Sequence, residues 1–298
     1  MSVVAVLAAA GSAVCFAVAS ALEQSAVKRE QPSRPLDLRL IARLVRQPRW
    51  LLGWLPEAVG TGLQALALNL APLALVEPIL VSGLFLAIPL AAILNRLRVH
   101  VRDFGVVALG GAGLVTFLLA AQPRGGIPQP SLVSWIGVAL WLGPAWAGCL
   151  LVAWRVAGPL RGALLGVATG LLFAVGASLL KTLSSKLATD PLSVFTTPQL
   201  YVLAVVGGCG IVLNQNAFQG GRIAVPLAAI TIVDPFASVL IGVTAFDEQI
   251  STGWPQVGVE VFAVLAMAGG IWLAATSRAD SRRQSPAPHA RTQPEQAG

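Results

Sequence analysis

The sequence predicts an all-α polytopic membrane protein with nine transmembrane helices, and three observations lead to this fold class. Of the 298 residues, 56% are hydrophobic and only 11% are charged, whereas soluble domains carry about 25% charged residues. The apolar residues form runs of about 20, the length of a helix that crosses a hydrocarbon core of about 30 Å. The basic residues collect in alternate connections between these runs. This composition excludes a soluble globular enzyme.

Nine apolar runs define the predicted helices. Lipid offers no hydrogen-bonding partner, so each run must be a helix, which satisfies its own backbone donors and acceptors. A barrel would alternate polar and apolar residues, and these runs do not. The predicted spans are residues 3–26, 50–69, 72–94, 104–121, 132–154, 162–181, 199–219, 224–246 and 256–276. They form one transmembrane domain over residues 1–276, and we expect the first span to be retained, because no positively charged region precedes it.

The distribution of basic residues predicts the orientation of the spans. Cytoplasmic connections of membrane proteins are enriched in Lys and Arg. Seventeen of the 20 basic residues lie in the first, third, fifth and seventh connections and in the tail, and the other three are Arg124, Lys181 and Lys186. The N-terminus is therefore predicted to lie outside and the C-terminus in the cytoplasm. The Arg-rich composition and short loops are typical of a bacterial inner membrane.

Two segments outside the spans complete the predicted organisation. Residues 36–46 place Leu36, Leu40 and Leu44 on one helical face and arginines on another, which predicts an amphipathic helix on the anionic inner leaflet. Residues 277–298 are rich in Pro, Ser, Gln and charge, so this cytoplasmic tail is predicted to be disordered. The net charge of +7 then reflects membrane orientation, and nucleic-acid binding is not expected.

Short internal matches predict an inverted repeat in which spans one to four correspond to spans six to nine. Phe16 and the two residues after it match Phe173 and its two successors, at an offset of 157 residues. Residues 63–69 of span two resemble residues 213–219 of span seven, at an offset of 150 residues. With span five between them, the two halves run in opposite directions through the bilayer, as in many secondary transporters.

The register of the third span of each half has two solutions. Glu77-Pro78 matches Asp234-Pro235 at an offset of 157 residues, whereas Pro78 matches Pro226 at an offset of 148. Proline removes a backbone donor and disfavours helix in the residue before it. Both acidic dipeptides therefore predict an interrupted helix with free carbonyl groups beside a carboxylate. On sequence alone both registers stay open.

Ionisable and amide groups inside the spans are the candidate binding residues. A charged side chain at mid-bilayer costs about 2.5 to 3.5 kcal/mol, so such groups mark ion or substrate sites. Asp234 is predicted nearest the midplane, with Glu77 and Glu57 on its outer and inner approaches. Lys181 falls at a predicted span end and is expected to snorkel, so no buried basic partner is predicted. The predicted substrate-binding or ion-binding residues are Asp234, Glu77, Glu57, Glu260, Gln64, Asn69 and Asn214. The alternative role for each is a hydrogen bond to a neighbouring helix.

A resemblance to a known family rests on three segments. Gln64 to Pro78, which contains an Ala-Pro-x-x-x-Val-x-Pro pattern, and residues 217–226 and 246–249 resemble the drug/metabolite transporter (EamA-like) superfamily. Nine spans with the N-terminus outside is closer to its NIPA-like magnesium-transporter branch. The resemblance covers most of residues 1–276 and implies transport by alternating access. Glu248 matches the acidic residue that the superfamily often places after the third helix of a repeat, whereas the first half has Asn and Arg there.

Three functions follow as hypotheses. The first is a transporter of a small solute, in which Asp234 binds a cation, a proton or a cationic group of the solute. The second is a divalent-cation permease, in which Asp234 and Glu77 bind Mg²⁺ through oxygen ligands. The third is a non-transporting membrane scaffold whose polar groups only join helices. The chain has no hydrolase, metalloprotease or nucleotide-loop motif, so neither an enzyme nor a cofactor is predicted.

Overall fold

The structure, a computed structural model, describes residues 2–27, 48–94, 122–217 and 224–250, with isolated positions at 112, 113, 116, 120 and 258. Within these residues the chain forms seven α-helices, a 3₁₀ turn at Ser193–Thr196 and a two-stranded sheet. The helices are α1 (Val3–Val27), α2 (Pro48–Leu70), α3 (Leu73–Leu94), α4 (Leu132–Arg155), α5 (Pro159–Thr189), α6 (Pro198–Ala217) and α7 (Ala224–Ala245). The strands are β1 (Arg124–Gly125) and β2 (Glu248–Gln249), which pair antiparallel.

The helical class predicted from the sequence is confirmed. Seven of the nine predicted runs coincide with these helices, and six of the seven agree within two residues at both ends. The exception is α5, which continues eight residues past the predicted end at Lys181. Most of the predicted spans 104–121 and 256–276, and all of the segments 36–46 and 277–298, lie outside the described residues.

Two helices in the described part of the chain are long and apolar enough to cross a membrane by length and composition. They are Leu132–Arg155 and Leu160–Thr189. Only 17% of the apolar stretch of the first is buried, against 61% of the second. The first helix therefore presents its apolar surface outward, and the second lies inside the bundle. These two helices support membrane association, and nine spans with a defined orientation stay a prediction.

The helices pack in two groups of three, with α4 beside the second group. α1 packs along α2 and α3, and α5 packs along α6 and α7, while contacts of α3 with α7 and of α2 with α5 join the groups. α4 lies against α5 and α7. The core fills the junction between the groups, where Leu68, Leu75, Ile241 and Phe246 are less than 2% exposed. Burial of such large apolar side chains is the main favourable term in holding the groups together.

The two prolines that predicted interrupted helices lie within continuous helix, which corrects that prediction. Pro78 is the sixth residue of α3, and Pro235 lies in the middle of α7. Each proline removes one backbone hydrogen bond without ending the helix. Packing holds the backbone in place, since Pro78 is less than 2% exposed. The carboxylates of Glu77 and Asp234 therefore project from intact helices.

Candidate functional site

Glu77 and Asp234, which we call the acid pair, lie close enough where α3 packs against α7 that the charge of Glu77 acts on Asp234. Glu77 is 3% exposed. Its Oε1 accepts a hydrogen bond of 3.0 Å from Nε2 of Gln64 on α2. A Cβ atom added at Gly170 would lie 3.1 Å from the backbone nitrogen of Asp234, so α5 also approaches closely. Four helices thus enclose the acid pair.

Two polar atoms at this site are buried without partners. Oδ1 of Asp234 and Oγ of Ser238 do not meet hydrogen-bond geometry with any described residue, although the Ser238 hydroxyl lies close enough to the Asp234 carboxylate to interact with it. The two residues are four positions apart on α7, so their side chains lie on one face. A buried polar group without a partner costs about 1–3 kcal/mol. Such exceptions in a native structure call for a specific explanation, such as an ion or a functional role.

The chemistry of this site is that of an oxygen-rich, negatively charged cation site. Two carboxylates, the Gln64 amide and the Ser238 hydroxyl surround it, and neither carboxylate has an ion-pair partner among the described residues. These groups can hold a proton, a metal cation or a cationic group of a solute. The described residues contain no cluster of three or more His, Cys, Asp or Glu side chains. Mg²⁺ would therefore retain several of its waters here, as it usually does in proteins.

The structure separates the other predicted binding residues from the acid pair. Glu57 is half-buried on α2, seven residues before Gln64 and so about 10 Å away along the helix. Asn69 is exposed at the end of α2 and lines a separate cavity of about 340 Å³. Asn214 lies on α6, which packs against α5. Glu260 lies outside the described residues. Of the predicted set, the structure brings together Asp234, Glu77 and Gln64.

Lys181 is buried, which corrects the prediction that it snorkels at a helix end. It is 6% exposed and forms an ion pair with Glu248, which is 3% exposed. α5 continues for two turns beyond Lys181, to Thr189, so the lysine lies within the helix. The chain therefore contains a buried basic residue, but its partner is not one of the predicted binding carboxylates. Lys181 pairs with Glu248, so neither carboxylate of the acid pair has a basic partner among the described residues.

The carboxylate of Glu248 also binds the first turn of α3. Oε1 accepts a hydrogen bond of 2.6 Å from the Leu73 N–H, and Oε2 accepts one of 3.0 Å from the Ala74 N–H. N–H groups in the first turn have no partner within the helix, and the positive end of the helix dipole favours a carboxylate. Sequence reasoning noted Glu248 only through the family resemblance. The sequence carries one signal for this contact. Pro72 precedes α3 and has no side-chain acceptor for a capping bond, so the first N–H groups of α3 need an acceptor from another segment.

The turn that carries Glu248 is fixed by aromatic and backbone contacts. The ring of Phe246 packs edge-on against Trp135, with 6.2 Å between ring centroids, and Nζ of Lys181 lies 4.8 Å from the Phe246 centroid. The Ile127 N–H donates a hydrogen bond of 2.6 Å to the Phe246 carbonyl. Pairing of β1 with β2 places Gly125 opposite Glu248. The loop before α4 and the turn after α7 thus hold the carboxylate from both sides.

Comparison with known proteins adds one relative of similar length. No family model matches the chain. An uncharacterized protein of Corynebacterium glutamicum is 24% identical over 286 residues, which cover 95% of this chain and 99% of the relative. No solved structure matches the chain. The similarity extends over most of the chain, both helix groups included.

Proposed function

We propose that this protein is a multi-pass membrane transporter that moves a small solute by alternating access, with a proton or another cation bound at the acid pair. The observation that carries the proposal is the unpartnered, buried Oδ1 of Asp234 beside the like charge of Glu77. A carboxylate that only joined helices would accept a well-formed hydrogen bond from a neighbouring helix, whereas the hydroxyl that interacts with Asp234 is that of Ser238 on its own helix. Two neighbouring buried carboxylates favour a bound positive species, because each charge raises the cost of the other.

Membrane insertion is supported by the outward surface of α4. Leu132, Val133, Leu140 and Trp154 are each more than 70% exposed. Monomeric soluble proteins rarely expose contiguous apolar patches of this kind, whereas lipid accepts them. We therefore propose the nine spans predicted from the sequence, with the N-terminus outside and the tail in the cytoplasm of the inner membrane. The drug/metabolite transporter (EamA-like) superfamily is the family whose motifs the chain resembles.

Equivalent contacts in the two helix groups support an inverted repeat. A Cβ atom added at Gly60 on α2 would lie 2.9 Å from the ring of Phe16 on α1. A Cβ atom added at Gly210 on α6 would lie 3.0 Å from the ring of Phe173 on α5. The two phenylalanines are related by the offset of 157 residues, and the two glycines by the offset of 150 residues. A phenylalanine ring therefore packs on a glycine in both helix groups, at positions related by the offsets of the internal sequence matches.

The contacts of the third helices favour the shorter register. A Cβ atom added at Gly83 on α3 would contact the carbonyl oxygen of Ala13 on α1. The residue equivalent to Ala13 at the offset of 157 is Gly170, which faces residues 230–234 on α7. Gly83 then corresponds to a position between 230 and 234, which fits an offset of 148 and not one of 157. In this register the two carboxylates of the acid pair occupy non-equivalent positions, so the site is asymmetric.

Transport by the purified protein in proteoliposomes tests the proposal. Under an imposed proton gradient, an internal pH dye reports proton movement on addition of candidate solutes to the wild type, to Asp234→Asn and to Asp190→Asn. Asp190 is an exposed residue after α5 and serves as the matched control. We expect Asp234→Asn to abolish solute-dependent proton movement and Asp190→Asn to retain it. Equal movement in Asp234→Asn and the wild type would contradict the assignment of Asp234.

A parallel assay separates the transporter from the other two hypotheses. Vesicles that contain a Mg²⁺-sensitive dye report Mg²⁺ entry into the wild type, Asp234→Asn and Glu77→Gln. Mg²⁺ entry that both substitutions abolish would select the permease. Silence in both assays would favour the scaffold.

A further inference from the structure

One carboxylate connects the two helix groups at the end of the bundle where α3 begins. Glu248, at the end of the second group, accepts hydrogen bonds from the N–H groups of Leu73 and Ala74 in the first group. The same carboxylate pairs with Lys181 of the second group. We call Lys181, Glu248 and these two N–H groups the latch. The latch thus joins the group of α1, α2 and α3 to the group of α5, α6 and α7 through hydrogen bonds and an ion pair.

The space around the latch is shaped for this carboxylate. A Cβ atom added at Gly242 on α7 would collide with Oε2 of Glu248. A Cβ atom added at Gly126 in the loop before α4 would lie 2.9 Å from Cγ of Glu248. Real Cβ contacts essentially never fall below 3.0 Å. The absence of a side chain at Gly242 and at Gly126 thus leaves the space that the Glu248 side chain occupies.

The latch borders a surface cavity that does not include the acid pair. The cavity of about 340 Å³ is lined by Lys181 and Ser185 of α5, by Asn69 and by the loop residues 125–128, among others. Asn69 and the loop residues are exposed, so the cavity opens to the surface. Neither carboxylate of the acid pair is among the described residues that line it. Glu77 lies one turn further into α3 than Leu73, about 6 Å along the helix axis.

From this placement, and on the basis of the transporter function proposed above, we infer that the latch is a gate that closes the acid-pair site from the surface cavity. Separation of Glu248 from the first turn of α3 lets the two helix groups part at this end and exposes Glu77 and Asp234 to the cavity. A buried ion pair suits this role, because its desolvation cost offsets much of its attraction. The closed and open arrangements can then lie close in free energy, as alternating access requires.

Thiol labelling in the full-length protein tests the gate without any measurement of transport. The three free cysteines of the described residues, Cys15, Cys149 and Cys209, are first replaced by alanine. Single cysteines are then introduced at Ser238 beside Asp234 and at Asn69 in the cavity. A membrane-impermeant maleimide is applied to the purified protein. Asn69 is exposed and lines the cavity, so we expect the Asn69→Cys thiol to be labelled with the latch intact and the Ser238→Cys thiol to be protected.

Disruption of the latch should change the labelling of one probe selectively. In Glu248→Gln, we expect the Ser238→Cys thiol to be labelled at least about tenfold faster, because local opening exposes it. The labelling rate of Asn69→Cys, which is already exposed, should stay the same. Asp247→Asn removes an exposed carboxylate from the same turn and should leave both rates unchanged. Equal labelling of Ser238→Cys with Glu248 present and absent would overturn the gate.

A third probe separates opening of the gate from loss of the fold. Ser12 is 0% exposed at the contact of α1 with α2, far along the chain from the latch. The Ser12→Cys thiol should remain protected in Glu248→Gln. The double variant Lys181→Met/Glu248→Gln leaves no unpaired buried charge and should give the same pattern in a chain that folds. Labelling of Ser12→Cys together with Ser238→Cys in the double variant would overturn the proposal.

The labelling result is independent of the transport result. Faster labelling of Ser238→Cys in a protein that moves no solute would support the gate and count against the proposed function. Transport that needs Asp234 in a protein whose labelling does not respond to Glu248 would support the function and overturn the gate.

Discussion

Asp234 lies on α7 and Glu248 lies just after its end, and the two acidic side chains differ in their hydrogen-bonding and charged partners. The carboxylate of Glu248 receives two backbone N–H groups and the charge of Lys181. Oδ1 of Asp234 has no well-formed hydrogen bond in the described part of the chain, and its polar neighbours are the Ser238 hydroxyl and another carboxylate, that of Glu77. Glu248 is buried, and Asp234 is half-buried with its Oδ1 atom buried, so burial alone does not explain the difference. The partners do, because a fully partnered charge holds a structure together and an unpartnered one is available to a ligand.

The largest effect should come from removal of the partnered carboxylate. Glu248→Ala leaves Lys181 buried and uncompensated and removes the acceptor of two N–H groups. We expect the free energy of unfolding to fall by about 3–5 kcal/mol, the usual cost of breaking a buried pair. Denaturant unfolding of the purified protein measures this loss. Asp247→Asn, an exposed change one residue away, should stay within about 0.5 kcal/mol of the wild type. A loss below that limit in Glu248→Ala would mean that the pair contributes nothing to the fold.

A smaller effect should follow when the space around the latch is filled. Gly242→Ala puts a methyl group where Oε2 of Glu248 lies. Overpacking of this kind costs about 1–3 kcal/mol, so the unfolding midpoint should fall. Gly208→Ala on α6 is the matched control, because nothing lies within 4 Å of the added atom. If both variants unfold at the same midpoint, the close fit around Glu248 has no energetic consequence.

The smallest effect on stability should come from the unpartnered carboxylate. Asp234→Asn removes a buried charge that faces Glu77 and breaks no hydrogen bond of its Oδ1. We expect no loss of stability and a gain of up to about 1 kcal/mol, because the repulsion between like charges is relieved. The same unfolding assay applies. A loss as large as that of Glu248→Ala would make Asp234 a structural residue and remove the contrast between the two carboxylates.

The helices could be predicted closely because each apolar run ends at a local change of composition. α5 was the exception, since the segment after Lys181 contains Thr182, Ser184 and Ser185 and was interpreted as a connection. In the structure these three side chains are buried. The Thr182 hydroxyl donates to the Ser178 carbonyl and the Ser184 hydroxyl to the Lys181 carbonyl, so their polarity is satisfied within the helix. Composition alone does not show that neighbouring helices cover such a segment.

The members of the acid pair could be proposed from the sequence, but their contact could not. Glu77, Gln64 and Asp234 were selected because polar groups in apolar runs are costly. The hydrogen bond between Gln64 and Glu77 spans 13 residues, and Asp234 lies 157 residues beyond Glu77. The prediction that the helices are interrupted at Pro78 and Pro235 was wrong, because packing keeps them continuous. Each proline still leaves one carbonyl of the preceding turn without its N–H donor.

Apolar run length and the polar ends of the runs are enough to establish that the chain is helical, because both act within a few residues of the position that they describe. Which carboxylates find partners depends on contacts between distant segments. Lys181 and Glu248 are 67 residues apart, and Glu248 and Ala74 are 174 residues apart. No local pattern encodes those distances. Helix packing therefore decided that Glu248 is fully partnered and that Asp234 keeps an unpartnered oxygen.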